Sequence, residues 1–246
     1  MFSWYQCSTA KNRLKFYLFF GSLITSSITA QGNVSDKNVT SNFPEIKTVG
    51  PAVYDFGGIT IEQENRTFSF DAVCNQTDRL VEYALVHEDG KVHESLFRTK
   101  ISPKLIHACF LLLKESPAVA PLKEQGLTGH NNALIRDRAL KVLVEWDDNG
   151  SQFSEPLARM TIKQTNQKPL DVRSFLFTGS KVIEGEYLAE MDGSIIAIYE
   201  DSRATINAID EDNTNDEIWL ANGKNMPPLG KMVRIRLILP STAKKK

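Results

Sequence analysis

The sequence LVEYALVHEDGKVHESLFRTKISPKLIHACFLLLK, residues 80–114, decides the fold class. Its first half contains two runs, residues 80–87 and 91–99, of the period-two or continuous apolar kind that predicts strands. Between the runs lies Asp89-Gly90, a pair that favours the positive φ angles of a two-residue turn. This half of the segment therefore predicts a β-hairpin.

The second half of the segment predicts a helix over residues 103–114. Ser102 is a suitable N-cap, and Pro103 suits the first helical turn because its missing N–H needs no partner there. The residues that follow are apolar on nearly every side of a helix, so we expect it to be buried against a sheet.

Short runs with strand character continue along the chain, and turn residues separate them. Asn149-Gly150 and Asp192-Gly193 lie between such runs, so we expect a hairpin turn at each pair. The sequence thus predicts an α+β fold, mostly antiparallel β-sheet or sheets with one buried helix near residues 103–114. The further runs are GITIEQ (58–63), TFSFDAVC (67–74), KVLVEW (141–146), LARMTIKQ (157–164), SFLFTG (174–179), EYLAEM (186–191), SIIAIYE (194–200) and VRIRLIL (233–239).

Residues 1–30 predict a secretory signal peptide. Lys11, Arg13 and Lys15 precede the apolar run 16–30, and no acidic residue accompanies them. The alternative is an uncleaved membrane anchor, but the run is shorter than the roughly 20 residues that span a bilayer and contains Gly, Ser and Thr. The prediction is an exported protein of the periplasm, the cell surface or the secreted fraction, with no stable membrane span after signal cleavage.

The rest of the chain divides into three parts. Residues 31–52 are polar without periodicity and predict a disordered tether. Residues 53–240 contain no linker and predict a single domain. Residues 241–246 form a short basic tail.

The charge balance argues against a nucleic-acid partner, and the cysteine content argues against an iron–sulfur cluster. The chain has 29 basic and 30 acidic residues, and losing the three basic residues of the signal peptide leaves 26 against 30, a mildly acidic balance that does not favour nucleic-acid binding. The predicted partners are a cell-envelope protein or a small ligand. Cys74 and Cys109 either pair in an oxidising compartment or are buried thiols, and two cysteines are too few for the usual iron–sulfur cluster.

Two histidines flank the predicted turn, and a third lies on the predicted helix. In a two-residue hairpin, His87 and His93 point to opposite faces of the sheet, and so do His93 and Glu94. His107 comes from the helix and is expected to meet either His93 or Glu94, whichever faces it. A hydrogen bond between helix and sheet would explain such a contact.

The same residues could instead carry chemistry. The candidate catalytic residues are Glu82, His93, Glu94 and His107, because a carboxylate beside a histidine suits acid/base catalysis. His93, His107 and Glu94 are the candidate metal ligands, for zinc or iron.

Two other features have simpler interpretations. DEDNTNDE, residues 210–217, lacks the glycine and the final glutamate of a calcium-binding loop, so it predicts an exposed acidic loop. A ligand cleft could be lined by aromatic side chains of the later strands, although such side chains usually form core. Those side chains are Phe175, Phe177, Tyr187 and Tyr199.

The segment 80–113 resembles the YdjY-like family of bacterial exported proteins. The family pattern is a strand with a glutamate, a G-K-x-H-E-S strand, and a helix with a histidine before a leucine run. The chain departs from this pattern at Lys114-Glu115-Ser116 and over residues 118–139. Matching positions are Glu82, Gly90, Lys91, His93, Glu94, Ser95 and His107, followed by FTGS (177–180), DGSIIAIY (192–199), and WLAN with PPLG between residues 219 and 230.

The resemblance implies that residues 53–240 are one YdjY-like domain and that Glu82, His93, Glu94 and His107 recur as a set. It implies no defined activity. The predicted function is a non-catalytic binding or structural module of the bacterial cell envelope, with no cofactor. The alternative is a metal-dependent or acid/base enzyme that uses His93, His107 and either Glu82 or Glu94, with zinc or iron in the metal-dependent form.

Overall fold

The structure, a computed structural model, describes residues 43–118 and 137–241. Contacts divide the chain into two units, residues 1–41 and 42–246, and every described residue belongs to the second. The predicted signal peptide, the first part of the predicted tether and all but the first residue of the basic tail lie outside the described residues.

Within the described ranges the protein is a β-rich α+β fold with sixteen strands and two α-helices. Neither of these helices is long and apolar enough to cross a membrane. The strands are β1 (Ile46–Gly50), β2 (Val53–Phe56), β3 (Ile59–Glu62), β4 (Thr67–Cys74), β5 (Tyr83–His87), β6 (Ser95–Thr99), β7 (Lys141–Asp148), β8 (Ser151–Pro156), β9 (Thr161–Lys163), β10 (Phe175–Phe177), β11 (Val182–Ile183), β12 (Glu186–Tyr187), β13 (Ser194–Ala197), β14 (Ile206–Ala208), β15 (Trp219–Ala221) and β16 (Met232–Ile238). The helices are α1 (Pro103–Leu112) and α2 (Leu188–Asp192).

Most strands belong to one large sheet. Its main path runs β1-β2-β3-β4-β6-β5-β13-β14-β10, and β16 pairs with β4 and β7, which in turn pairs with β8. A bridge between Leu140 and Phe175 links the start of β7 to β10, so the strand path closes on itself. The pairs β5–β6 and β13–β14 are parallel, and the other pairs in this sheet are antiparallel. The strands β9 and β15 form a separate antiparallel pair.

The helix α1 covers the apolar face of the sheet. The hydroxyl of Ser102 accepts a hydrogen bond from the Leu105 N–H at 3.4 Å and so caps the helix. Phe110 stacks on Phe177 with ring centres 4.0 Å apart and meets Phe68 edge-on at 5.0 Å. These buried rings join the helix to β10 and β4 and form the centre of the core.

The strand β16 shows why alternation identified it. In β16 the side chains of Val233, Ile235 and Leu237 are buried, whereas the intervening Arg234 and Arg236 point to the other face. That face carries ion pairs along the sheet. The ion pairs link Arg236 to Glu62 and Glu145, and Arg234 to Asp71.

The hairpin predicted at Asp89-Gly90 is wrong. The strands β5 and β6 are parallel neighbours, with Tyr83 opposite Ser95, and the connection between them ends in a 3-10 turn, Val92–Glu94. The Asn75 side chain donates to the carbonyl groups of Val92 and Ser95 and holds this turn. Turn preference is a local property, and here the pairing of β6 with β4 and of β5 with β13 outweighs it.

The two other predicted turns have different outcomes. Asn149-Gly150 is confirmed, because both residues have positive φ angles and β7 pairs with β8 directly across them. The turn predicted at Asp192-Gly193 is wrong as a hairpin. Gly193, with φ of 70°, is the left-handed cap that ends α2.

The predicted tether extends too far into the domain. The strand β1 lies within the range 31–52 and pairs with β2, so a disordered tether is wrong for residues 46–50. Four of the five β1 side chains are exposed, which removes the alternation that marks a half-buried strand. Backbone hydrogen bonds to β2 stabilise β1, and a hydrophobic pattern does not reveal them.

Candidate functional site

Three of the four predicted site residues come together at the start of β5. The Glu82 N–H donates to the carbonyl oxygen of Glu94 at 3.0 Å, and His93 Nε2 lies 3.0 Å from Glu94 Oε1. The prediction that His93 and Glu94 point to opposite faces is wrong, because both lie in a 3-10 turn and not in a strand. The side chain of His93 is 74% exposed, so this carboxylate cluster, Glu82, His93 and Glu94, lies at the surface.

Within the carboxylate cluster, the pKa of Glu82 is raised. Burial, the charge of Glu94 and a hydrogen bond to its side chain all raise the pKa of Glu82, although the nearby charge of Lys91 opposes them. Two carboxyl groups in contact hold one proton more readily than either would alone. The contacts from Glu82 to Glu94 and from Glu94 to His93 connect this carboxyl group to the exposed surface.

Glu82→Gln is expected to stabilise the protein at pH 7. Because the folded state raises the pKa of Glu82 above 4.5, folding favours its protonated form, and stability is lost as the pH rises through that window. Glutamine cannot ionise, so the variant avoids this loss of folding free energy, which amounts to a few tenths of a kcal/mol at a partly solvated site. Thermal unfolding at pH 7 should show a higher midpoint for Glu82→Gln, no change for the exposed control Glu64→Gln, and no advantage for Glu82→Gln below pH 4.5. A lower midpoint at pH 7 would contradict the assignment.

A second polar group adjoins the carboxylate cluster. Lys91 Nζ donates to the Tyr83 hydroxyl at 2.9 Å, and that hydroxyl donates to Asp201 Oδ2 at 3.0 Å. Burial is the main reason that the pKa of Tyr83 rises to about 12. The phenol is therefore a neutral link between a surface cation and a carboxylate.

His107 lies in a different neighbourhood, so the prediction that it meets His93 or Glu94 is wrong. Its Nδ1 is 3.0 Å from the Tyr187 hydroxyl, which is itself 3.0 Å from Thr205 Oγ1. Its ring meets Phe177 edge-on at 5.1 Å. The packing of Phe110 on Phe177 fixes α1 over β10 and so directs His107 towards β12.

The environment of His107 suits a neutral imidazole. Burial lowers its pKa, and a hydrogen bond to the Gly179 backbone only partly offsets this effect. The histidine thus forms a hydrogen-bonded link between helix and strand, through Tyr187 to Thr205.

The candidate metal ligands do not form a set. Within residues 43–118 and 137–241, no group of three or more His, Cys, Asp or Glu side chains could hold a metal ion. Cys74 and Cys109 are both free and buried. Burial raises the pKa of Cys74 to about 11 and raises the pKa of Cys109 as well, so both thiols are poor nucleophiles at neutral pH.

An open cleft of about 510 Å³ lies on another part of the domain, beside β9. Its lining combines cationic side chains with carboxylates and apolar groups. The sequence interpretation did not identify it, because its residues are scattered along a turn-rich stretch with no characteristic spacing. The lining includes Arg159, Lys163, Lys168, Pro169, Val172 and Asp210.

One wall of the cleft contains a buried ion pair. Lys163 Nζ lies 2.5 Å from Asp210 Oδ1 and 2.8 Å from Asp212 Oδ2. The prediction of an exposed acidic loop over residues 210–217 is wrong at Asp210 and Asn213, which are 9% and 3% exposed. The Asn213 side chain donates to the Ala208 carbonyl at 2.8 Å and anchors the loop.

No family model, curated protein or solved structure matches this chain. The resemblance to the YdjY-like family therefore stays a prediction.

Of the four aromatic residues predicted to line a cleft, Phe175 and Phe177 belong to the core. Phe175 and Phe177 are 1% and 2% exposed, and Phe177 is covered by Phe110 of α1. Burial raises the pKa of Tyr187, whose hydroxyl is already engaged with His107 and Thr205. The cleft beside β9 and the carboxylate cluster remain as the two candidate sites.

Proposed function

We propose that the protein is an exported, non-catalytic binding module of the bacterial cell envelope. The cleft beside β9 is the observation that supports this proposal, because concave sites with apolar walls and a few convergent polar groups suit small ligands. The order of charges and apolar residues in residues 1–30 supports export to the periplasm, the cell surface or the medium.

The lining of the cleft defines the ligand chemistry. Asp210 and Asp212 neutralise Lys163, so Lys168 and Arg159 supply the positive charge that a ligand would meet. Arg159 also pairs with Glu155, but that contact is long, at 3.9 Å, and exposed. Pro169 and the 40% exposed Val172 add apolar surface beside them. The proposed ligand is a small molecule with an anionic group next to an apolar part.

An acid/base activity at the carboxylate cluster is the second candidate. The raised pKa of Glu82 and the contact between Glu94 and His93 favour it. His107 takes no part in this version, since its Nδ1 is bonded to Tyr187. A zinc- or iron-dependent enzyme would need another metal ligand in place of His107. Stoichiometric metal in protein purified without a histidine tag or chelator would support such an enzyme.

A calorimetric titration with benzoate, which joins a carboxylate to an apolar ring, tests the binding proposal. We expect a millimolar dissociation constant for so small a probe. In the double variant Arg159→Ala/Lys168→Ala the dissociation constant should be at least tenfold higher, because both charge-assisted contacts are lost. Inorganic phosphate, which lacks the apolar part, should bind more weakly than benzoate. Lys141→Ala, an exposed lysine outside the cleft, is the matched control. Equal affinity in the double variant would contradict the proposal.

A further inference from the structure

The ion pair between Lys163 and Asp210 is more enclosed than the ion pair between Lys231 and Asp148. The side chains of Lys163 and Asp210 are 14% and 9% exposed, whereas those of Lys231 and Asp148 are 31% and 37% exposed. Lys163 Nζ also lies 5.3 Å above the ring of Trp219, which is fully buried. An amine and a carboxyl group are thus held in contact beside a buried aromatic ring, while the third member of the group, Asp212, is 56% exposed.

We propose that Lys163 and Asp210 condense to an intramolecular isopeptide bond. Lys163 Nζ is the nucleophile and Asp210 Cγ the electrophile, and their closest N···O distance of 2.5 Å already brings the reacting groups together. Fixed contact of this kind replaces a bimolecular encounter and gives a high effective concentration.

The surrounding groups supply the remaining roles. The Asp212 carboxylate, 2.8 Å from Lys163 Nζ, accepts the ammonium proton and makes the amine nucleophilic. The Asp212 backbone N–H donates to Asp210 Oδ1 at 3.0 Å and stabilises negative charge on that oxygen during attack. Asp212 is therefore expected to act both through its side chain and through its backbone.

The step balances without a further reactant. The Nζ–Cγ bond forms and one C–O bond of Asp210 breaks. Asp212 passes the first proton that Nζ loses to the departing oxygen, and the second proton follows. Both leave with that oxygen as one water molecule, and the product amide keeps one N–H. No electron is transferred to or from an outside group.

The same surroundings predict a slow reaction. Burial lowers the pKa of Lys163, but hydrogen bonds to Asp210 and Asp212 and their charges outweigh it, so the net pKa is raised. Only the small neutral fraction of the amine reacts, and the bond should accumulate as the folded protein ages. The product closes the chain between residues 163 and 210, a constraint on the unfolded state of the kind that Cys74 and Cys109, both free, do not provide.

Mass spectrometry of the aged, folded protein tests the proposal. We expect its denatured mass to be lower than the sequence mass by one water molecule, and a protease digest to contain a branched peptide that joins Lys163 to Asp210. Lys163→Arg and Asp210→Ala should each abolish the link. Asp210→Asn should keep it with loss of ammonia, and Asp212→Ala should form it more slowly. Lys231→Arg, at the more exposed pair, should leave it unchanged.

The wild-type protein alone can overturn the proposal, even if a variant fails to fold. An unmodified Lys163 in aged protein whose circular dichroism shows folded β-structure would mean that the contact is an ordinary ion pair. A branched peptide through Asp212 would overturn the assignment of the electrophile. Because the cleft proposal depends on Arg159 and Lys168, its titration can succeed or fail independently of this result.

Discussion

Phe110→Ala is expected to lower the free energy of unfolding by about 3–5 kcal/mol, the usual cost of removing a buried phenylalanine ring. Phe110 is fully buried and contacts two other rings, Phe177 at 4.0 Å and Phe68 at 5.0 Å. The variant would leave a cavity between α1 and the sheet, and neither β10 nor β4 can move to fill it because both are paired with neighbouring strands.

The neighbouring residue provides the control. Leu111 lies on the same helix but is 51% exposed, so Leu111→Ala should change stability by about 0.5 kcal/mol or less. Urea unfolding of both variants and the wild type, followed by circular dichroism, measures the difference. Similar losses in the two variants would mean that α1 does not pack on the sheet through Phe110.

Gly193→Val is expected to cost about 3–5 kcal/mol, from backbone strain and overpacking together. Gly193 has φ of 70°, a conformation that a β-branched residue rarely adopts. An added Cβ would also lie 2.8 Å from Gly90 Cα and 3.1 Å from Gly90 N, and these backbone atoms cannot rotate away. The contact exists because the connection between β5 and β6 crosses the start of β13.

Gly185→Val separates the two contributions. Gly185 has φ of 84°, but nothing lies within 4 Å of an added Cβ, so this variant has the strain without the contact. It should cost about 1–2 kcal/mol. Equal losses at Gly185 and Gly193 would contradict the close crossing, and with it the parallel arrangement of β5 and β6.

Local patterns in the sequence predicted the elements whose environment is also local. The apolar alternation of TFSFDAVC predicted β4 over residues 67–74, and Asn149-Gly150 predicted the turn between β7 and β8. Ser102 and Pro103 marked the start of α1. In each case the residues that decide the structure lie within one strand, one turn or one helical cap.

Features that depend on distant contacts were missed. Asp89-Gly90 has turn chemistry, yet the pairing of β6 with β4 decides where the chain goes after it. His107 is separated from Tyr187 by 80 residues, so no spacing could indicate their hydrogen bond. Lys163 and Asp210 are likewise far apart in sequence, and the acidic run around Asp210 suggested an exposed loop instead of a buried partner.

The central claim, that the cleft beside β9 is the binding site, is tested most directly by NMR titration of isotope-labelled protein with benzoate. We expect the largest backbone amide shifts within residues 159–172, around Arg159, Lys168 and Val172, and we expect them to disappear in Arg159→Ala/Lys168→Ala. Shifts centred on Glu82, His93 and Glu94 would contradict the claim and favour the acid/base alternative. The absence of any saturable shift would contradict it as well.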